Sequence, residues 1–262
     1  MSPTLIARDE DDNDALIGWW RDGDALGSEA RLICAMDEAA LVFGDGELLA
    51  QLGPGSHSLT AETQPELADY LVDEGAEAEV AFVKTRAQLN FLGALDPVED
   101  DEQHVTFAAE LRGSFVAVVN DPAMILELSD ELDEDTSVED YLIEQVFAAA
   151  SEAYAADPPS LFALARSGGT IAGLAEATQA AANEVVAEHG VEVQVTSPLG
   201  LRLDEAGSKA VAGLTGEDTG DETEAPLAPP PRPAGAPRQC GDCSALSPAT
   251  ASVCGSCGAM FE

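Results

Sequence analysis

The chain has 262 residues, 45% of them hydrophobic, which is ample for a buried core and excludes wholesale disorder. It carries 50 acidic against 11 basic residues, a formal net charge of −39, and Lys84 and Lys209 are the only lysines. Such a body repels phosphate backbones and anionic lipid headgroups alike, so it is not expected to bind nucleic acid or a lipid surface directly.

Residues 1–15 read as an acidic, flexible N-terminus. They lack a signal peptide's basic flank and apolar centre, and no stretch reaches the ~18 consecutive apolar residues of a membrane span. The expected address is cytoplasmic. Trp19 and Trp20 follow, read as a buried anchor for the arm in preference to a binding spot. Strands are expected at Leu32–Met36, Ala39–Phe43 and Glu47–Leu52, with Asp45-Gly46 as a tight hairpin turn. Gly53-Pro54-Gly55 makes a sharp corner. Ala78–Lys84 and His104–Val119 read as further strands, and Gly113 in the latter marks a bulge or the close approach of another backbone.

The period changes after Asn120. Asp121-Pro122 is a helix start, with Asp as cap and Pro in the first turn. Ser137 caps the next helix with Asp140 in the reciprocal position. Val138, Leu142, Val146, Ala150 and Tyr154 then form one apolar stripe running to about Ala156. Pro158-Pro159 breaks it. "SLFALARSG" predicts a short helix closed by glycine, and "TIAGLAEATQAAANEVVAEHG" a longer one stopping at Gly190. "VEVQVTSPLGLRL" alternates as a strand with a bulge at Pro198, and a last short helix spans Asp204 to about Leu214.

Residues 215–237 pass from acidic to proline-rich without apolar period and read as an extended linker. Beyond it the composition differs: residues 226–262 are electrically neutral, and residues 1–225 hold nine basic against 48 acidic residues. Four of the five cysteines lie in residues 238–262, as Cys240-x-x-Cys243 and Cys254-x-x-Cys257. Each pair can wrap one edge of a metal, and together they make a closed tetrahedral four-thiolate site suited to Zn²⁺. Disulfides and a redox pair are the alternatives; the cytoplasmic address weighs against the first, and the paired spacing against the second. With four protein ligands the zinc is structural, and it would supply most of the folding energy of so small a module. Cys34, in an expected strand, reads as a small buried apolar residue.

No catalytic residues are assigned. His57, His104 and His189 fall in a turn, at a strand start and at a helix end, with no nucleophile grouped beside them. "LGPGSHSL" lacks a phosphate loop's lysine, and the acidic runs "DEDDND" and "DELDEDTSVED" lack the glycine and glutamate of a calcium loop. A hydrolase built on His57 and scattered carboxylates ranks far below the other readings.

Several motifs, taken in order, resemble one family. They are the Trp19-Trp20 segment, the strand at Gly27–Cys34, the Glu38–Gly46 hairpin and the "GPGSHSL" corner at Gly53–Leu59. "AFVKTRAQLNFLG", "AAELRGSFVAVVNDPAMIL" and "AAANEVVAEHGVEVQVTSPLGL" continue the series. Together these resemble the bacterial branch of the stomatin–prohibitin–flotillin (SPFH, band-seven) superfamily often labelled "virion core protein", several members of which end in a zinc ribbon. The resemblance covers residues 16–213 and the tail, and the SPFH-like domain it implies is bounded at 16–214. It implies an α+β fold, an N-terminal antiparallel β-rich part followed by helices and a closing strand, plus a small C-terminal zinc ribbon. It also implies a homo-oligomeric, non-catalytic scaffold at the membrane, tied to phage-shock-like envelope stress, with no small-molecule substrate. The acidic lead "RDEDDND" and the missing long coiled coil depart from the family's pattern. Recruitment to the cytoplasmic face through membrane-embedded or phage-shock-like partner proteins is therefore expected in place of direct insertion. The alternative is a nucleic-acid or transcription-associated adaptor acting through the ribbon, with Arg232 and Arg238 beside it. The acidity itself suits either a salt-rich cytoplasm, where the Debye length falls to roughly 3 Å in molar salt, or a docking face for a basic partner.

Overall fold

The structure, a computed structural model, describes residues 4–9, 15–20, 26, 30–72, 78–171, 173–196 and 198–215, with 238–239 and 246–247 of the tail. The chain divides into two units, Met1–Asp218 and Thr219–Glu262. The described residues of the first form an α+β unit with three sheets.

The first sheet orders β1 (Leu5–Ile6), β3 (Ala30–Cys34) and β6 (Gly55–Leu59), with β1 parallel to β3 and β6 antiparallel to it. The second is wholly antiparallel, in the order β2 (Ile17–Trp20), β7 (Ala78–Lys84), β4 (Glu38–Gly44), β5 (Glu47–Leu52). A short helix α1 (Ala68–Val72) lies between β6 and β7 in the chain. The near-continuous apolar runs of β4 and β7 exist because both faces of these strands are buried. Ala40, Val42, Val80 and Phe82 point into a core shared with Leu32, Leu59 and Ile6. Leu41, Ala81 and Val83 point the opposite way, into a second and larger core. Each fully buried side chain of leucine or phenylalanine size contributes about 1.5–3 kcal/mol. Asp45 and Gly46 turn β4 into β5 with φ of 52° and 81°, the paired left-handed conformation of a two-residue hairpin.

The third sheet is built on a hairpin of β8 (Arg86–Asp100) and β9 (Val105–Val119), with β10 (Val191–Val195) and β11 (Gly200–Leu203) end to end along the other edge of β9. Phe107, Ala109, Leu111, Phe115 and Ala117 of β9 face inward, while Thr106, Glu110, Arg112 and Ser114 alternate to the other face. α2 (Pro122–Glu131) packs on β4 of the second sheet and on the next helix, and the inner face of the third sheet is covered by α3 (Val138–Ala156), α4 (Leu161–Ser167), α5 (Leu174–Val186) and α6 (Glu205–Thr215). α3 packs on α5 and β8, α5 on β10, and α6 on α4 and β9. Asp121 accepts the Ala123 N–H at 3.1 Å, and Ser137 Oγ accepts the Asp140 N–H at 3.0 Å while donating to its carboxylate at 2.7 Å. All five residues of the α3 stripe are buried. Gly168 closes α4 in the left-handed conformation, and a 3-10 turn at Ala187–His189 carries α5 to Gly190.

The structure corrects the sequence reading at several points. Residues 4–9 are held, not loose. Ile6 is fully buried, and Arg8 runs inward over Gly18 to an ion pair with Glu38 at 3.1 Å. The Arg8 guanidinium also donates to the Ala15 and Phe82 carbonyls. The first strand of the expected series sits two residues earlier, at Ala30–Cys34. Arg86–Asp100 is a 15-residue strand that the sequence reading did not assign; its register shifts between Leu95 and Val98, where Pro97 removes a donor. α5 begins at Leu174, behind Gly173, and not at Thr170. "VEVQVTSPLGLRL" forms two strands, because ladder pairing to β9 stops at Val195, opposite Phe115, and resumes at Gly200, opposite Arg112. Gly113 keeps regular register with Phe91, and what approaches it closely is side chain, not backbone.

Candidate functional site

The sequence-assigned metal ligands Cys240, Cys243, Cys254 and Cys257 lie outside the described residues. Of the tail, β12 (Arg238–Gln239) pairs antiparallel with β13 (Leu246–Ser247), Gln239 opposite Leu246. The segment between these strands in the chain contains Cys240 and Cys243.

The three histidines are kept apart. His57 Nε2 lies 2.7 Å from the Gly53 carbonyl, tying the corner before β6. His104 sits at the tip of the β8–β9 hairpin with φ of 53°. His189 meets the Tyr141 hydroxyl at 3.2 Å and Glu188 at 3.6 Å. Among the described residues no group of three or more His, Cys, Asp or Glu side chains is arranged to hold a metal ion. Cys34 is buried, as expected; burial, with Glu38 and then Asp37 nearby, pushes its thiol up to about 11, so it stays protonated and inert.

The best-placed carboxylates serve the backbone. Asp100 is buried at the end of β8 and accepts N–H groups of Leu161 at 2.7 Å, Gln103 at 2.9 Å and Glu102 at 3.0 Å. Burial alone would raise its pKa, but these three donors hold it below the usual range. Asp204 is likewise lowered, by the N–H of Gly207 first and then that of Ala108. Both fasten the hairpin to α4 or α6 and are spent on that task.

The two tryptophans diverge across β2. Trp20 packs against the core between the first two sheets and Trp19 against the helical core, so the pair does anchor β2, each residue half-buried. Trp19 keeps a second face. Its ring lies 6.1 Å from that of Phe43, and the two line an open groove of about 460 Å³ with Leu48, which is 44% exposed, and Leu126. The rim carries Glu79, Glu127 and Asp130. Glu127 and Asp130 come from α2, more than 100 residues along the chain from Trp19, which is why sequence reading missed them. The one signal available was an apolar Leu48 at a strand position pointing to water. Chemically the groove offers aromatic and aliphatic surface ringed by negative charge, suited to a cation on an apolar stem.

Among the described residues no helix is long and apolar enough to cross a membrane. No family model matches the chain, and no curated protein matches it, so the fold and these local arrangements are what its function must be read from.

Proposed function

We propose that the protein is a non-catalytic, homo-oligomeric adaptor of the SPFH type. It is recruited to the cytoplasmic face of the membrane by a membrane-embedded partner of the kind that serves phage-shock-like envelope stress. Its tail is a zinc ribbon tethered as a separate contact module. The observation that carries this reading is the Trp19–Phe43 groove with its rim of Glu79, Glu127 and Asp130. Cytoplasmic flanks of membrane helices are enriched in Lys and Arg, so an acidic groove with an apolar floor fits such a flank while the acidic surface keeps lipid headgroups away. Two further features support it: the first four motif-bearing segments overlap β2, β3, β4 and β6, and β12 and β13 bracket the first C-x-x-C in the chain.

The test is co-expression with the products of neighbouring genes, followed by membrane fractionation and sizing. The protein is expected in the membrane fraction as an oligomer, and the double variant Glu127→Lys/Asp130→Lys is expected to leave that fraction while staying folded. A strictly monomeric protein that never co-purifies with a membrane partner would overturn the proposal.

A further inference from the structure

On the outer face of the third sheet, β9 places Glu110, Arg112 and Ser114 in one row, with Asn90 of β8 opposite Ser114 and Arg202 of β11 opposite Glu110. Glu110 lies between two arginines and is engaged by one of them, Arg202, at 3.5 Å. Arg112 makes no ion pair with any described carboxylate. In a body holding 48 acidic residues this is unusual, and it coincides with a cavity. Where pairing along β9 passes from β10 to β11, a hollow of about 450 Å³ opens beside Arg112. No described carboxylate lines it. The Trp19 groove and the hollow beside Arg202 both carry several.

The hollow has two kinds of wall. On one side stand donors, the Arg112 guanidinium and the Asn90 amide; the Ser114 hydroxyl beside them is already engaged, its oxygen 3.3 Å from Thr196 Oγ1. Thr170, also at the edge, already donates its proton to the Ser167 carbonyl. On the other side are Phe91, Pro198 and Leu201, and the rim at Gly168-Gly169 and Gly200 brings backbone close without side chains in the way. A guanidinium and an amide from neighbouring strands suit an anion with several acceptor oxygens, and the charge-assisted guanidinium contact is the stronger of the two. The volume falls within the ~300–1,000 Å³ of small-ligand sites and exceeds what one oxyanion fills.

We infer that this hollow binds a soluble phosphomonoester, its phosphate held by Arg112 and Asn90 and its apolar body lying against Phe91, Pro198 and Leu201. Its lining shares no residue with the Trp19 groove, and it adds a small-molecule ligand to a protein proposed above to work through protein partners. Nothing in its lining calls for chemistry on that ligand.

The experiment titrates the full-length protein with phenyl phosphate and with inorganic phosphate, read by calorimetry or by amide shifts of β9. About 0.3 M KCl screens the body's negative field. Phenyl phosphate is expected to bind at least about tenfold more tightly than inorganic phosphate, a difference of roughly 1.4 kcal/mol. Arg112→Gln should weaken it at least tenfold, Arg112→Lys less, and Arg202→Gln should leave it unchanged. Both arginines are exposed, and circular dichroism checks that each variant is folded. Absence of phenyl phosphate binding at ~10 mM overturns the inference. So does binding that survives Arg112→Gln, or that falls equally with Arg202→Gln.

Discussion

Leu199 sits directly over Gly113. A β-carbon built at Gly113 would fall 2.4 Å from Leu199 Cδ2 and 2.6 Å from Phe91 Cζ. Leu199, just ahead of β11 and wholly buried, fills the gap that the missing side chain leaves. Gly113→Ala therefore forces two packed side chains apart and should cost about 1–3 kcal/mol. The urea midpoint should drop with the slope of the transition unchanged. An unaltered midpoint would mean that this packing yields freely.

The Arg8–Glu38 pair is buried on both sides, with side chains 4% and 7% exposed. Removing one partner from such a pair strands the other charge and costs about 3–5 kcal/mol. Arg8→Met should therefore be severe, whereas Arg8→Met/Glu38→Gln should recover more than half the loss, because glutamine can still accept the Ala35 N–H. Denaturant unfolding of the three proteins checks this. A loss below about 1 kcal/mol for Arg8→Met would show that water reaches Glu38.

Asp100 sets part of the acid limb of stability. Its folded pKa is depressed, so its contribution is complete above the unfolded value of about 3.9 and is lost as pH falls through the folded value. Asp100→Asn removes the titration and weakens acceptance of the three N–H groups. The variant should be less stable by about 1–3 kcal/mol at neutral pH. That gap should narrow as pH falls below about 4. A gap that stays constant from neutrality to pH ~3 would exclude a lowered Asp100 pKa as its source.

The tail should hold one Zn²⁺ per chain. Metal analysis after dialysis gives the stoichiometry, and thiol titration should find Cys240, Cys243, Cys254 and Cys257 unreactive until a strong chelator is added. Cys254→Ser should lower zinc content without moving the melting of the first unit. Freely reactive thiols in metal-replete protein would remove the ribbon.

What could be read from the sequence was local. Asp45-Gly46, Asp121-Pro122 and Ser137 with Asp140 announce their conformations within four residues, and the α3 stripe repeats along one face. Arg86–Asp100 hid because its pattern inverts what burial usually shows. Leu92 points outward at 69% exposure while Gly93 faces in, beneath the Phe147 ring. Arg8 reads as one more surface charge until Glu38, thirty residues on, is brought to it. The assignment of Cys240, Cys243, Cys254 and Cys257 as metal ligands rests on spacing alone and falls outside the described residues, whereas the groove and the Arg112 hollow depend on tertiary neighbours from distant elements.

The second sheet has a consequence for how the molecule comes apart. β4 and β7 present Ala40, Val42, Val80 and Phe82 to one side and Leu41, Ala81 and Val83 to the other, so they form a party wall between two dry interiors. Neither room can be flooded without wetting that wall, which ties the fate of one to the other. Amide protons in β3 and in α5 should therefore exchange through a common opening, and heating the body should give one endotherm where two would otherwise be expected.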